Sequence, residues 1–247
     1  MNGTWLRRFG PVRDRAPLLV CLPHAGASAS AFLALSRAFE GAAGPEVLAV
    51  QYPGRQDRRH EAPARGIEEL AGRVADACAP LTGRPYAFFG HSMGAVVAYE
   101  TARLLLGRGL PGPGRLFLSG RGAPGPVPSP HDRLDGDAEI LAAVRKLGAA
   151  AGAGVLDDPE LLAMVLPALR ADYGALARYR SAPGGPLPVP LTVLVGDADP
   201  VVTVDEARAW RERTSAGFAL EVFEGGHFYL DRQVDAVAKV VSAGLPG

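Results

Sequence analysis

Three residue types occur in an order that could support nucleophilic catalysis: a glycine-flanked serine, then an acidic turn, then a late histidine. Gly90-His91-Ser92-Met93-Gly94 has the form G-x-S-x-G. It directly follows an apolar run ending at Phe89 and directly precedes a helical stretch from Ala95 to Leu106, the strand-turn-helix setting that a nucleophilic serine needs. Glycines on both sides permit the sharp turn that lifts the hydroxyl above a sheet edge. A serine hydroxyl is a poor nucleophile until a base takes its proton, so a histidine should follow with an acid between them. His24, His60 and His91 precede Ser92, and His131 falls in an irregular region. His227, in Glu224-Gly225-Gly226-His227-Phe228 just after the last apolar run, is the expected base. The stretch from Arg115 to Pro130 holds no Asp or Glu, which leaves Gly196-Asp197-Ala198-Asp199-Pro200 to supply the acid. Spacing alone does not separate Asp197 from Asp199. The anionic tetrahedral intermediate of acyl transfer needs two backbone N–H donors, one after the serine and one after an early strand. Met93 and Ala25, the latter in Pro23-His24-Ala25-Gly26, are the expected oxyanion-hole donors.

The elements that must position these residues follow from apolar periodicity. Short apolar runs at Leu18–Leu22, Val47–Val50, Tyr86–Phe89, Leu116–Leu118, Leu191–Val195 and Leu220–Phe223 end at turn residues, as strands buried on both faces do. Helical patterns between them, such as Ile67 to Ala79 and Ala95 to Leu106, predict an α/β fold with a mostly parallel central sheet and helices on both faces. A closing helix is expected from Val234 to Val241. The alternation breaks between about Pro124 and Pro190, which reads as an insertion. Within it Ala138 to Leu147 suits one helix, and Leu161, Leu162, Val165, Leu166, Leu169, Tyr173, Leu176 and Tyr179 recur at helical spacing, with Pro159 as a first-turn residue. Core packing would explain that stripe, and so would a helical lid over a pocket.

At 247 residues, one domain that buries a substantial core is expected. Lys plus Arg equals Asp plus Glu at 26 each, so no overall field favours nucleic acid or an acidic membrane. No run reaches membrane-span length and no apolar leader precedes the first strand, which predicts a cytoplasmic protein. Cys21 and Cys78 form no CxxC pair and are expected as reduced, partly buried thiols. Gly120-Arg121-Gly122-Ala123-Pro124-Gly125 fits G-x-G-x-x-G, but the prolines that follow leave no helix N-terminus for a pyrophosphate. Cys21 and His24 lack a second ligand pair for a metal. No cofactor, metal, nucleic-acid or membrane partner is expected, and the protein should be a monomer.

With these pieces placed, the sequence resembles the type II thioesterases that accompany polyketide synthases and nonribosomal peptide synthetases, members of the α/β-hydrolase superfamily. The resemblance runs through Leu22-Pro23-His24-Ala25-Gly26, Tyr52-Pro53-Gly54-Arg55, the Ser92 pentapeptide, Leu169-Arg170-Ala171-Asp172-Tyr173, the Asp197/Asp199 turn and Gly225-Gly226-His227-Phe228. It implies that Asp199, the second aspartate, is the triad acid beside Ser92 and His227. It also implies a helical lid and an acyl substrate on the phosphopantetheine arm of an acyl or peptidyl carrier protein. Gly148 to Gly154 is richer in Ala and Gly than the family suggests, which bears on lid shape and acyl preference. An oxyester hydrolase or lipase would use the same triad. Arg55, Arg58 and Arg59 could form a basic patch for an acidic carrier, or simply a solvated loop.

Overall fold

The computed structural model describes residues 5–40, 44–148 and 156–245. Each expected apolar run is a strand: β2 Leu18–Leu22, β3 Glu46–Val50, β4 Tyr86–His91, β5 Arg115–Ser119, β6 Leu191–Gly196 and β7 Phe218–Phe223. An additional strand, β1 Leu6–Arg8, carries no apolar run; it pairs antiparallel to β3 at the sheet edge. The sheet order is β1-β3-β2-β4-β5-β6-β7, with every pair other than β1 and β3 parallel. This is the α/β-hydrolase arrangement that the sequence resemblance implies.

Strand residues alternate between two apolar layers, because successive side chains point to opposite faces. Leu18, Val20, Phe88, Leu118 and Val193 pack with helices α2 Ile67–Cys78 and α3 Met93–Gly107 on one face. Leu19, Cys21, Phe89, Phe117 and Leu194 pack with α1 Leu33–Ala38 and with a C-terminal helix, Val234–Gly244, on the other. Two buried faces explain why these strands read as continuous apolar runs. Both cysteines are wholly buried free thiols, not partly buried ones.

Between β5 and β6 lie two longer helices, α4 Gly136–Leu147 and α5 Pro159–Arg178. Asp158 caps α5 by accepting from the Glu160 and Leu161 N–H groups, and Pro159 takes the first turn, where its missing N–H costs nothing. Gly148 closes α4; the rest of the Ala/Gly-rich stretch lies outside the described residues. After β6 come the short helix α6 Val204–Arg208 and, after β7, α7 Tyr229–Arg232 and α8 Val234–Gly244. Among the described residues no helix is long and apolar enough to cross a membrane.

The basic patch is not formed. Arg55 is 4% exposed and paired with Asp172, and Arg58 is 6% exposed, lies over the Trp5 ring, donates to the Gln51 carbonyl (2.7 Å) and pairs with Glu61. These guanidiniums are consumed inside the fold, and of the three only Arg59 is exposed.

Among the described glycines, the one with least room for a side chain lies where α3 meets the sheet. A Cβ on Gly94 would lie 2.0 Å from the Leu22 carbonyl oxygen and 2.8 Å from that of Pro23, backbone atoms that cannot yield. Gly94→Ala should therefore cost more than about 3 kcal/mol in denaturant unfolding. Gly107→Ala at the other end of the same helix, with open space around it, should be neutral or gain up to about 1 kcal/mol.

Candidate active site

Ser92 sits where β4 turns into α3, with φ 54° and ψ −116°, a positive φ that a non-glycine residue holds only under constraint. The constraint is visible on both sides. The Ser92 N–H donates to the Ser119 carbonyl on β5 (2.8 Å), and its own carbonyl accepts from Ala95 (3.0 Å). Met93 begins α3, so its N–H is one of the first-turn donors without an intrahelical acceptor, at the positive end of a fifteen-residue helix dipole. Gly94 rests on Leu22 and Pro23, so this helix start lies against the beginning of the turn that carries His24, Ala25 and Gly26.

His227 follows β7, and its Nδ1 lies 2.8 Å from Asp199 Oδ2 with both side chains essentially inaccessible. Asp199 Oδ1 accepts from the Val201 N–H (2.9 Å), which orients the carboxylate. Asp197 is exposed and accepts from the Gly225 N–H (2.9 Å), bracing the loop that leads to His227. The choice that spacing left open is thus separated by geometry: one aspartate faces the imidazole, the other the backbone beneath it. Ser92, His227, His24 and Ala25 border the same cavity, of about 370 Å³. Its roof is apolar: Val144 and Leu147 of α4, Leu156, and Val165, Leu169 and Tyr173 of α5. A second cavity, of about 530 Å³, meets Ser92 from the other side and is bounded by Arg121, Val127, His131, Arg133, Val202 and Glu206.

That second wall includes the Gly120–Gly125 segment. No helix follows it directly; Arg121 forks onto buried Asp132 (2.8 and 2.5 Å), and the Trp210 indole N–H donates to the Arg121 carbonyl (2.8 Å). In the sequence this segment fits only a dinucleotide motif that lacks its helix, whereas here it walls a cavity. His91, which precedes Ser92 in the chain, lies beside His227. The His91 ring stands 4.9 Å from that of His227 and 5.7 Å from that of His24, and Phe228 packs against all three. His91 Nδ1 lies 2.9 Å from Ser119 Oγ, which is 2.6 Å from the Tyr229 hydroxyl, so the ring next to the base is anchored. Burial, reinforced by His227, lowers His24 to about 3, and burial holds His91 well below the usual range. Both stay neutral near pH 7.

Comparison with known proteins follows the same lines. The family model described as the thioesterase domain matches residues 17–245. A protein of Streptomyces griseus named as a probable cadicidin biosynthesis thioesterase is 45% identical over 241 residues, which cover 98% of this chain and 66% of that protein, just short of two thirds of its length. Thioesterase PikA5 of Streptomyces venezuelae is 45% identical over 98% of this chain and 85% of its own. Among solved structures, the type II thioesterase BorB from the borrelidin biosynthetic cluster superposes with a TM-score of 0.85 at 43% identity, covering 98% of each chain.

The depressed histidines make the site a determinant of acid stability. In the unfolded chain His24 takes a proton near pH 6.5, in the folded protein only near 3. Between those values the unfolded state holds the extra proton, so stability falls as pH falls. His24→Asn should flatten the slope of unfolding free energy between pH 6.5 and 4 by up to about 1.4 kcal/mol per pH unit, read from urea melts.

Proposed function

The chain belongs to the thioesterase family, and from that premise we propose that it is a type II thioesterase that removes acyl groups from the phosphopantetheine arms of carrier proteins in polyketide or nonribosomal peptide biosynthesis. The observation that carries the reading is the buried Asp199–His227 contact on a cavity bordered by Ser92. The family match supports a thioester as the bond cleaved, and relatives named as a probable cadicidin biosynthesis thioesterase and as the type II thioesterase of the borrelidin cluster support the biosynthetic setting. In this reading Ser92 Oγ attacks the thioester carbonyl as His227 Nε2 accepts its proton, and Asp199 keeps the other nitrogen protonated and oriented. The N–H groups of Met93 and Ala25 stabilise the oxyanion as it forms. The C–S bond then breaks, the pantetheine thiol leaves with the proton from His227, and the acyl group remains on Ser92. Water, deprotonated by His227, releases it as the carboxylic acid and restores the serine.

A thioester needs room on both sides of its carbonyl, and two cavities meeting at Ser92 provide it. We read the apolar one under α4 and α5 as the acyl chamber, with these helices as its lid, and the loop-bounded one as the path of the arm. The protein is read as a cytoplasmic monomer, a reducing setting in which Cys21 and Cys78 stay thiols.

Ser92→Ala should lower kcat by about 10³-fold or more with the fold retained, and Asp199→Asn by about 10⁴-fold, through the wrong imidazole tautomer. Asp197→Asn should stay within about tenfold of the parent; collapse of that variant instead of Asp199→Asn would reverse the assignment. An acyl carrier protein substrate should show higher kcat/KM than the same acyl group on a short thiol. Equal values would leave a thioesterase that selects by acyl chain alone. Faster turnover of the matching oxyester than of either thioester would favour an esterase.

A further inference from the structure

The turn that carries Ala25 is tied to the cavity roof by a buried ion pair that the reaction steps above do not use. His24, Ala25, Gly26 and Ala27 form a tight turn closed by the Ala27 N–H donating to the His24 carbonyl (3.1 Å), with Gly26 at φ +75° in the third position, as a type II turn requires. The central peptide of this turn joins Ala25 to Gly26. The N–H of that peptide donates across 146 residues to Asp172 Oδ2 on α5 (2.7 Å). Asp172 is 3% exposed and pairs with Arg55, whose guanidinium also donates to the Pro53 carbonyl (2.6 Å) and lies over the Tyr52 ring. One helical turn before Asp172, Leu169 covers the same glycine so closely that a Cβ there would fall 2.4 Å from a Leu169 methyl carbon. A buried ion pair is weak evidence for stability, since apolar residues of like volume often replace one without loss. What this pair supplies that an apolar pair would not is an acceptor, held rigidly, for one particular N–H.

We propose that Asp172, held by Arg55, is a positioning residue for the oxyanion hole: by anchoring the turn at Gly26, the residue next to Ala25, it holds the segment that carries the Ala25 N–H in place for the developing oxyanion. The hole is complete only while α5 is seated on the turn, which makes the helix that roofs the acyl chamber also the clamp that arms the site. The inference rests on the thioesterase reading for the role given to Ala25.

The test compares R55M/D172L, which removes acceptor and charge together, with R55M/D172N, which restores a neutral acceptor. For R55M/D172L, kcat/KM on a short acyl thioester should fall about 10- to 100-fold, part of the loss expected for deleting a hole donor outright. The inhibition constant of the matching trifluoromethyl ketone, whose serine adduct places an oxyanion in the hole, should rise by the same factor. The dissociation constant of the inert thioether analogue, which does not use the hole, should hold within about threefold. R55M/D172N should recover most of both losses. If R55M/D172L does not fold, R55M/D172A makes the same comparison with a smaller side chain. A folded variant lacking the acceptor that keeps parental kcat/KM and ketone affinity overturns the proposal, as does a fall in kcat/KM with ketone affinity unchanged. Running the series on an oxyester as well keeps the two readings apart, because the hole serves either carbonyl. A parent protein active only on the oxyester would refute the thioesterase reading and leave this test intact.

Discussion

The site depends on one backbone contact, the seating of the first turn of α3 against the end of β2. Gly94 touches the carbonyls of Leu22 and Pro23 with no room for a side chain, and Gly90 lies as close to the Gly94 carbonyl. That contact forces the chain through Ser92 at a positive φ and stands the serine at the rim of the sheet. It also sets the start of α3 against the turn that begins at His24, the two segments on which the proposed oxyanion hole draws. The strain at Ser92 is of the size that a well-packed neighbourhood can impose, on the order of 1–3 kcal/mol.

Around this contact the electrostatics are arranged by exclusion as much as by attraction. His24 and His91 are kept neutral by burial and by His227, and Phe228 fills the space between the rings. The Tyr229–Ser119–His91 chain fixes the ring next to the base with uncharged groups. Asp199 is thus the carboxylate in contact with His227, and the loop beneath is braced by Asp197 through backbone alone. The roof contributed by α4 and α5 is apolar, whereas the other cavity at Ser92 is bounded by Arg121, Arg133, His131 and Glu206.

Local features were legible in the sequence, and long-range pairings were not. The six apolar strands, the turn at Ser92 and the late His227 announce themselves because each is written in consecutive residues. β1 did not, since three residues with two arginines have no apolar signature and owe their pairing to β3, helped by Arg8 donating to the buried Glu46 (2.7 Å). Arg55 and Arg58 read as solvated charges; their partners, Asp172 and the Trp5 ring, lie in other segments. The sequence does hold a hint, because Tyr52-Pro53-Gly54-Arg55 and Leu169-Arg170-Ala171-Asp172-Tyr173 both carry the family resemblance, although neither reads as the other's partner. Their meeting over Gly26 explains both at once. Between Asp197 and Asp199, two residues apart in one turn, only the direction of the loop decides, and direction is not a property of spacing.

The account turns on an acyl group resting on Ser92. The most direct measurement mixes the protein with an excess of an activated aryl thioester, whose thiol leaves fast enough to make deacylation limiting, and quenches in acid on the millisecond scale. The account expects a burst of about one thiol per protein, with the acyl mass on the peptide bearing Ser92. Turnover without a burst and with Ser92 unmodified, or acyl mass on another residue, would contradict it.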